Sequence, residues 1–254
     1  MMELYISENT KHRRKDDIEQ ALSQFHMKVS SNRRDASYDF CYGYFQAQRH
    51  HLAENMELSC LHLWAYLASW GMLRGSSLLL KECSMKVLSG VVEYLDSLPE
   101  EMWHLDVQDY KSARVKHKIS EIFIKLQERI KDIELDNSKK HVSATTTLIT
   151  KIMLGTLGCI PAFDQNFVVA FKKEFEKTNN FRKVDKNTLK CIYEFYQSNH
   201  DLFHPAFYPV IGFNGKPIMN LHYTYAKLID MYGFNKGSQI LKEKSNNSKK
   251  QKSL

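Results

Sequence analysis

The chain has 254 residues, of which 43% are hydrophobic and 12% aromatic, and carries a formal charge of +7. That apolar content excludes an intrinsically disordered chain, and the length fits one large domain or two small ones. With a pI near 9.0, the charge favours an acidic partner, DNA or RNA above all.

Asp16 and Asp17 open a helix through Phe25, just after the basic cluster Lys11-His12-Arg13-Arg14-Lys15. Asp35 or Ser37 caps a second helix rich in aromatic residues, with Tyr38, Phe40, Tyr42, Tyr44 and Phe45. A third helix, from about Glu57 to Leu73, is apolar on nearly every face, which predicts a place at the centre of the fold. Gly71 and Gly75 end it or bend the chain. Met85 to Leu98 forms another helix, stopped by Pro99, and Pro99-Glu100-Glu101 opens a short one with acids in its first turn. From Asp109 to about Leu135 a long amphipathic helix sets Ile119, Ile122, Phe123, Leu126, Ile130 and Ile133 on one stripe.

Asp136-Asn137-Ser138-Lys139-Lys140 reads as an internal linker. Beyond it an apolar helix ends near Gly155, and further helices follow near Phe163–Thr178 and Asp185–Asn199. A loop of aromatic residues, Pro and Gly comes next, with a tight turn at Asn214-Gly215. A helix at about Asn220–Tyr232 precedes a tail, 242–254, rich in Lys, Asn and Ser and expected to be disordered. No segment alternates convincingly as a strand. The expected fold is all-α: a compact multi-helix bundle with residues 57–73 as its buried central helix. It forms a single helical domain over 1–241, or two tightly packed lobes divided near 136–140.

The five cysteines are Cys41, Cys60, Cys83, Cys159 and Cys191, and no C-x-x-C pair exists among them. Neither a disulfide framework nor a cysteine-rich zinc site fits that spacing; a reducing cytoplasm does. The N-terminus has no apolar signal region, and the longest apolar run, Cys60 to Leu73, is too short to cross a bilayer. No membrane partner, metal or cofactor is therefore expected. His200 and His204 stand one turn apart, but the glutamate of an H-E-x-x-H site is absent.

Four places carry candidate chemistry. Asp164 follows a proline turn at the start of a helix, where free N–H groups favour a carboxylate. The stretch Thr150-Lys151-Ile152-Met153-Leu154-Gly155-Thr156-Leu157-Gly158-Cys159-Ile160-Pro161-Ala162-Phe163-Asp164 resembles part of the helix-hairpin-helix DNA glycosylases, base-excision enzymes with an apolar helix, a Gly/Pro turn and a catalytic Asp. The resemblance implies that Asp164 stabilises positive charge developing on a sugar as a glycosidic bond breaks. It also implies incomplete equipment. No glycine stands at Val142-Ser143-Ala144, where that family has its hairpin, and Thr146 occupies the neighbourhood of the lysine used by its lyase-active members. Lys151 lies on the helix itself.

The second place is Tyr66-Leu67-Ala68-Ser69-Trp70-Gly71-Met72 with Arg74-Gly75-Ser76-Ser77, which resembles a set of uncharacterised bacterial proteins and implies no activity. Arg74 there can fork onto a phosphate or carboxylate, with Ser76 and Ser77 adding donors; equally, Arg74 can pair with a structural acid and a serine can cap the next helix. In the third, aromatic residues around Lys216 and His222 can stack nucleobases, or simply pin the loop to the core. The fourth is basic charge at both ends, Lys11–Lys15 and Lys242–Lys252, suited to phosphates. The leading expectation is a nucleic-acid-associated protein, distantly glycosylase-like. The rivals are a non-enzymatic interaction module and a small-molecule enzyme with a pocket between lobes that uses Arg74 and Asp164.

Overall fold

A helix with no polar face is satisfied only when other elements cover it on every side. In the computed structural model, which describes residues 15–24, 33–75, 77–133, 141–175 and 179–252 with side chains through 248, the helix Thr146–Thr156 meets that condition. Every residue from Leu148 to Thr156 is buried. In chain order the α-helices are α1 (15–24), α2 (Ala36–Ala47), α3 (Met56–Ser69), α4 (Leu78–Glu82), α5 (Ser89–Asp96), α6 (Ala113–Lys131), α7 (Thr146–Thr156), α8 (Gln165–Glu174), α9 (Lys186–Asn199) and α10 (Tyr225–Lys252). Short 3-10 turns separate several of them, and one hairpin pairs β1 (Pro209–Ile211) with β2 (Pro217–His222). The fold is all-α.

The central helix is α7, not the segment 57–73. Helices α2, α3 and α6 all pack on α7. In contrast, α3 buries Ser59, Cys60, Leu63, Tyr66 and Leu67 while Leu58 and Leu61 are 50% and 45% exposed. Its apolar outer face is a surface. The chain contacts α7 closely because of two glycines. A Cβ on Gly155 would lie 2.3 Å from the Tyr66 ring, so only glycine lets α3 approach there. Gly158, at φ +66, ends α7 by turning its N–H back to Met153 and Leu154 carbonyls.

The long stripe on α6 is buried as its spacing requires: Ile119, Ile122, Phe123, Leu126 and Ile130 face the core. The helix begins at Ser112 rather than Asp109, because Asp106 and Asp109 form a capping box over the preceding 3-10 turn Val107–Lys111. Helices α8 and α10 pack so tightly that a Cβ on Gly237 would lie 1.9 Å from the Asn166 carbonyl oxygen. Phe163, Phe167, Phe171, Phe181 and Phe195 stack or meet edge-on beside them.

Two further segments differ from the sequence expectation. The last helix continues to Lys252 instead of ending near Tyr232, so Lys242–Lys252 is helical rather than disordered. Its first turns are anchored by packing on α8, and propagation from an anchored helix is far easier than nucleation. The aromatic loop contains the β1–β2 hairpin, whose strands are too short and irregular to show alternation. Its turn does fall at Asn214-Gly215, with Gly215 at φ +75. The linker 136–140, Ser76 and the cluster 11–14 lie outside the described residues. Among the described residues no helix is long and apolar enough to cross a membrane.

Candidate functional site

The turn between α7 and α8 is held by polar side chains from below and above. Thr147 Oγ1 donates to the Phe163 carbonyl at 2.8 Å, and Thr150 Oγ1 accepts from Phe163 N at 2.9 Å. This clamp presents Asp164 at the start of α8. Its Oδ1 accepts from Phe167 N at 3.0 Å, a helix N-cap. Its Oδ2 lies 3.2 Å from Lys151 Nζ. Lys151 comes from the middle of α7 and is only 4% exposed.

A second lysine–aspartate pair lies beside the first. Lys227, in the first turn of α10 and 1% exposed, places Nζ 3.4 Å from Asp230 Oδ2. Asp230 Oδ1 accepts from Ala162 N at 3.0 Å, so one aspartate holds the turn and the other the first turn of the helix that follows it. The two ammonium groups converge on one indole: Lys151 Nζ is 5.0 Å and Lys227 Nζ 5.6 Å from the Trp70 ring centre. Lys227 also sits 4.2 Å over the Tyr38 ring.

Burial pushes Lys227 below the usual lysine range, opposed by Asp230 and Asp39. Burial likewise raises Asp230, opposed by Lys227 and Lys151. Asp39, on α2, is pushed up to about 6 by burial, against hydrogen bonds from Tyr223 and Ile211 and the Lys227 charge. Those hydrogen bonds, 2.6 Å from Tyr223 O–H and 3.1 Å from Ile211 N, tie the hairpin to α2.

Paired charges of this kind contribute little net stability but strongly penalise any arrangement that separates them. The cluster therefore registers α2, α7, α10 and the turn before α8 against each other. A buried amine with a lowered pKa is also what a nucleophilic lysine requires. Here, however, both ammonium groups are enclosed and both Asp164 oxygens are engaged.

The other sequence-derived candidates scatter. Arg74 is exposed after α3, its side chain curled beside Gly71. Ser77 stands at the N-cap of α4 without a side-chain capping bond, and Ser76 lies outside the described residues. Lys216 is exposed in the hairpin turn, its N–H donating to Asn214 Oδ1 at 2.9 Å. His222 ends β2 and lines a separate cleft.

That cleft, about 600 Å³, lies between the C-terminal half of α2, the segment 103–108 and the β2–α10 junction. Asp106 sits at its base. Its oxygens accept from Val107 N at 2.7 Å, Tyr225 N at 2.7 Å and Ala226 N at 2.9 Å, so one carboxylate caps both the 3-10 turn and α10. Burial pushes Asp106 up to about 7, against those three donors. Beside the cleft Glu100 gathers three nitrogen groups: Arg49 at 3.1 Å, His50 at 2.8 Å and His104 at 2.8 Å. Hydrogen bonds with His50 and His104, helped by the Arg49 charge, hold Glu100 below the usual carboxylate range.

Reading the sequence alone misses Lys227, Asp230, Asp39 and Asp106. A usable signal exists for two of them: Lys227 and Asp230 interrupt the apolar run 226–232 three residues apart, a pattern that calls for a buried pair. No protein-family model, curated protein or solved structure matches the chain.

Proposed function

We propose that this is a nucleic-acid-associated protein of a reducing cytoplasm. In this reading it grips phosphates through the basic end of α10, and the glycosylase-like turn serves as scaffold rather than catalyst. One observation carries the reading. Helix α10 continues past Ile240, the last buried one among the described residues, with Lys242, Lys244, Lys249, Lys250 and Lys252 against the single acid Glu243. Residues Lys242 to Ser248 are exposed, so this end of the helix offers charge without a role in the core. Five free cysteines agree with a reducing compartment.

The commitment of both Asp164 oxygens, one to the α8 N-terminus and one to Lys151, argues against a glycosylase role. A catalytic carboxylate must face the charge that develops in the transition state.

Retention of labelled single- and double-stranded DNA and of RNA, measured across salt concentrations, tests the proposal. Binding is expected to weaken steeply with salt, and ending the chain after Leu241 should flatten the log–log slope by about 4 if all five lysines engage phosphates. Circular dichroism should show the truncated protein still folded. Abasic DNA is expected to remain uncut. Absence of retention at low salt overturns the proposal, and strand cleavage lost in an Asp164→Asn protein that circular dichroism shows to be folded returns Asp164 to catalysis.

A further inference from the structure

The cleft above Asp106 has a feature that the fold does not use. Trp103 forms part of its wall and is 2% exposed. Its Nε1–H is buried and has no hydrogen-bond partner among the described residues. A buried donor left unmet is unfavourable, and a ligand acceptor relieves it. The same cleft is lined by Arg49 and His104, whose side chains are 34% and 59% exposed.

Each of these two groups spends one nitrogen on Glu100: Arg49 Nη2 and His104 Nε2. A guanidinium has further N–H donors in its fork, and an imidazole has a second ring nitrogen. Asp106, in the same lining, accepts from three backbone N–H groups, which commits most of its hydrogen-bonding capacity to the fold. Tyr42 and Tyr223 add buried aromatic wall. A concave site of this volume, lined by a guanidinium, an imidazole and aromatic rings, matches a small-molecule pocket.

We propose that this cleft binds a small molecule bearing an oxyanion, a carboxylate or a phosphate, through Arg49, His104 and the Trp103 Nε1–H. The inference is independent of nucleic-acid binding by α10, because among the described residues none from Lys242 on lines the cleft.

Calorimetric titration of the full chain at low ionic strength, with inorganic phosphate in one arm and succinate in the other, tests it. Saturable binding of either probe is expected, and the arm that binds names the group. Trp103→Phe keeps a ring but removes the donor, and Arg49→Gln removes the fork at a position about one-third exposed. Each should weaken binding about tenfold, the cost of one charge-assisted or buried hydrogen bond. The chain ended after Leu241 should bind the probe like the full chain. No binding of either probe at millimolar concentration overturns the proposal, as does binding that Arg49→Gln leaves unchanged.

Discussion

At the scale of single residues, Asp164 shows how one side chain serves two elements. Read from sequence, Asp164→Asn should preserve stability, since asparagine caps a helix about as well as aspartate. The structure changes that expectation. The substitution leaves the cap bond to Phe167 possible but strips the counter-charge from Lys151, which is 4% exposed. Removing one partner of a buried pair costs about 3–5 kcal/mol, and Asp164→Asn should fall near the lower end because its side chain keeps 16% exposure. Adding Lys151→Met should recover most of the loss. Urea denaturation of the two single variants and the double variant checks this; an Asp164→Asn midpoint equal to wild type would remove the pair from the account of the fold.

At the scale of elements, burial separates two apolar helices that look alike in sequence. On α3, Leu63 is fully buried whereas Leu61 is 45% exposed. Leu63→Ala should cost about 2–5 kcal/mol and Leu61→Ala less than about 1 kcal/mol. Trp64, only partly buried, should cost less than the roughly 3–5 kcal/mol of a fully packed tryptophan. Equal losses for Leu61 and Leu63 in thermal or urea melts would contradict a one-sided α3. The α8–α10 contact is less forgiving. Gly237→Ala places a carbon 1.9 Å from the Asn166 carbonyl oxygen, a backbone atom that cannot swing aside. The helices must separate, at a cost of about 3 kcal/mol, and a variant with wild-type stability would mean that the two helices are not in that contact.

At the scale of the whole molecule, buried carboxyls give the fold a pH dependence of unusual sign. Asp39 is held near 6 in the folded state against 3.8 for the free group. Folding therefore takes up a proton between those values. The stabilisation by protonated Asp39 is fully present below pH 3.8 and is lost as pH rises through about 6. Two pKa units correspond to about 3 kcal/mol over that window. Relative to Asp39→Asn, which does not titrate, the wild-type protein should lose stability between pH 4 and pH 7. Parallel stability curves for the two proteins across that range would show that Asp39 titrates normally. The Asp106 carboxyl, raised to about 7, acts in the same direction.

Much of the architecture is legible in the chain itself because it depends on neighbours in sequence. The α6 stripe, the helix over Asp185–Asn199, the cap at Asp164 and the turn at Asn214-Gly215 follow from local periodicity, capping and turn chemistry. Residues Thr150–Asp164 do form the end of one helix, a turn and the cap of the next, but their local pattern says nothing of what the carboxylate touches. Which apolar helix is central was decided only in three dimensions, since hydrophobicity tells that a face can be buried, not whether a partner covers it. The same holds for the charges. Lys151 and Asp164 are 13 residues apart, Asp39 and Tyr223 are 184 apart, and Asp106 and Ala226 are 120 apart. Local rules reach one or two turns of helix. Pairs that meet across the fold, and the cleft they frame, exist only after the core has brought distant segments together.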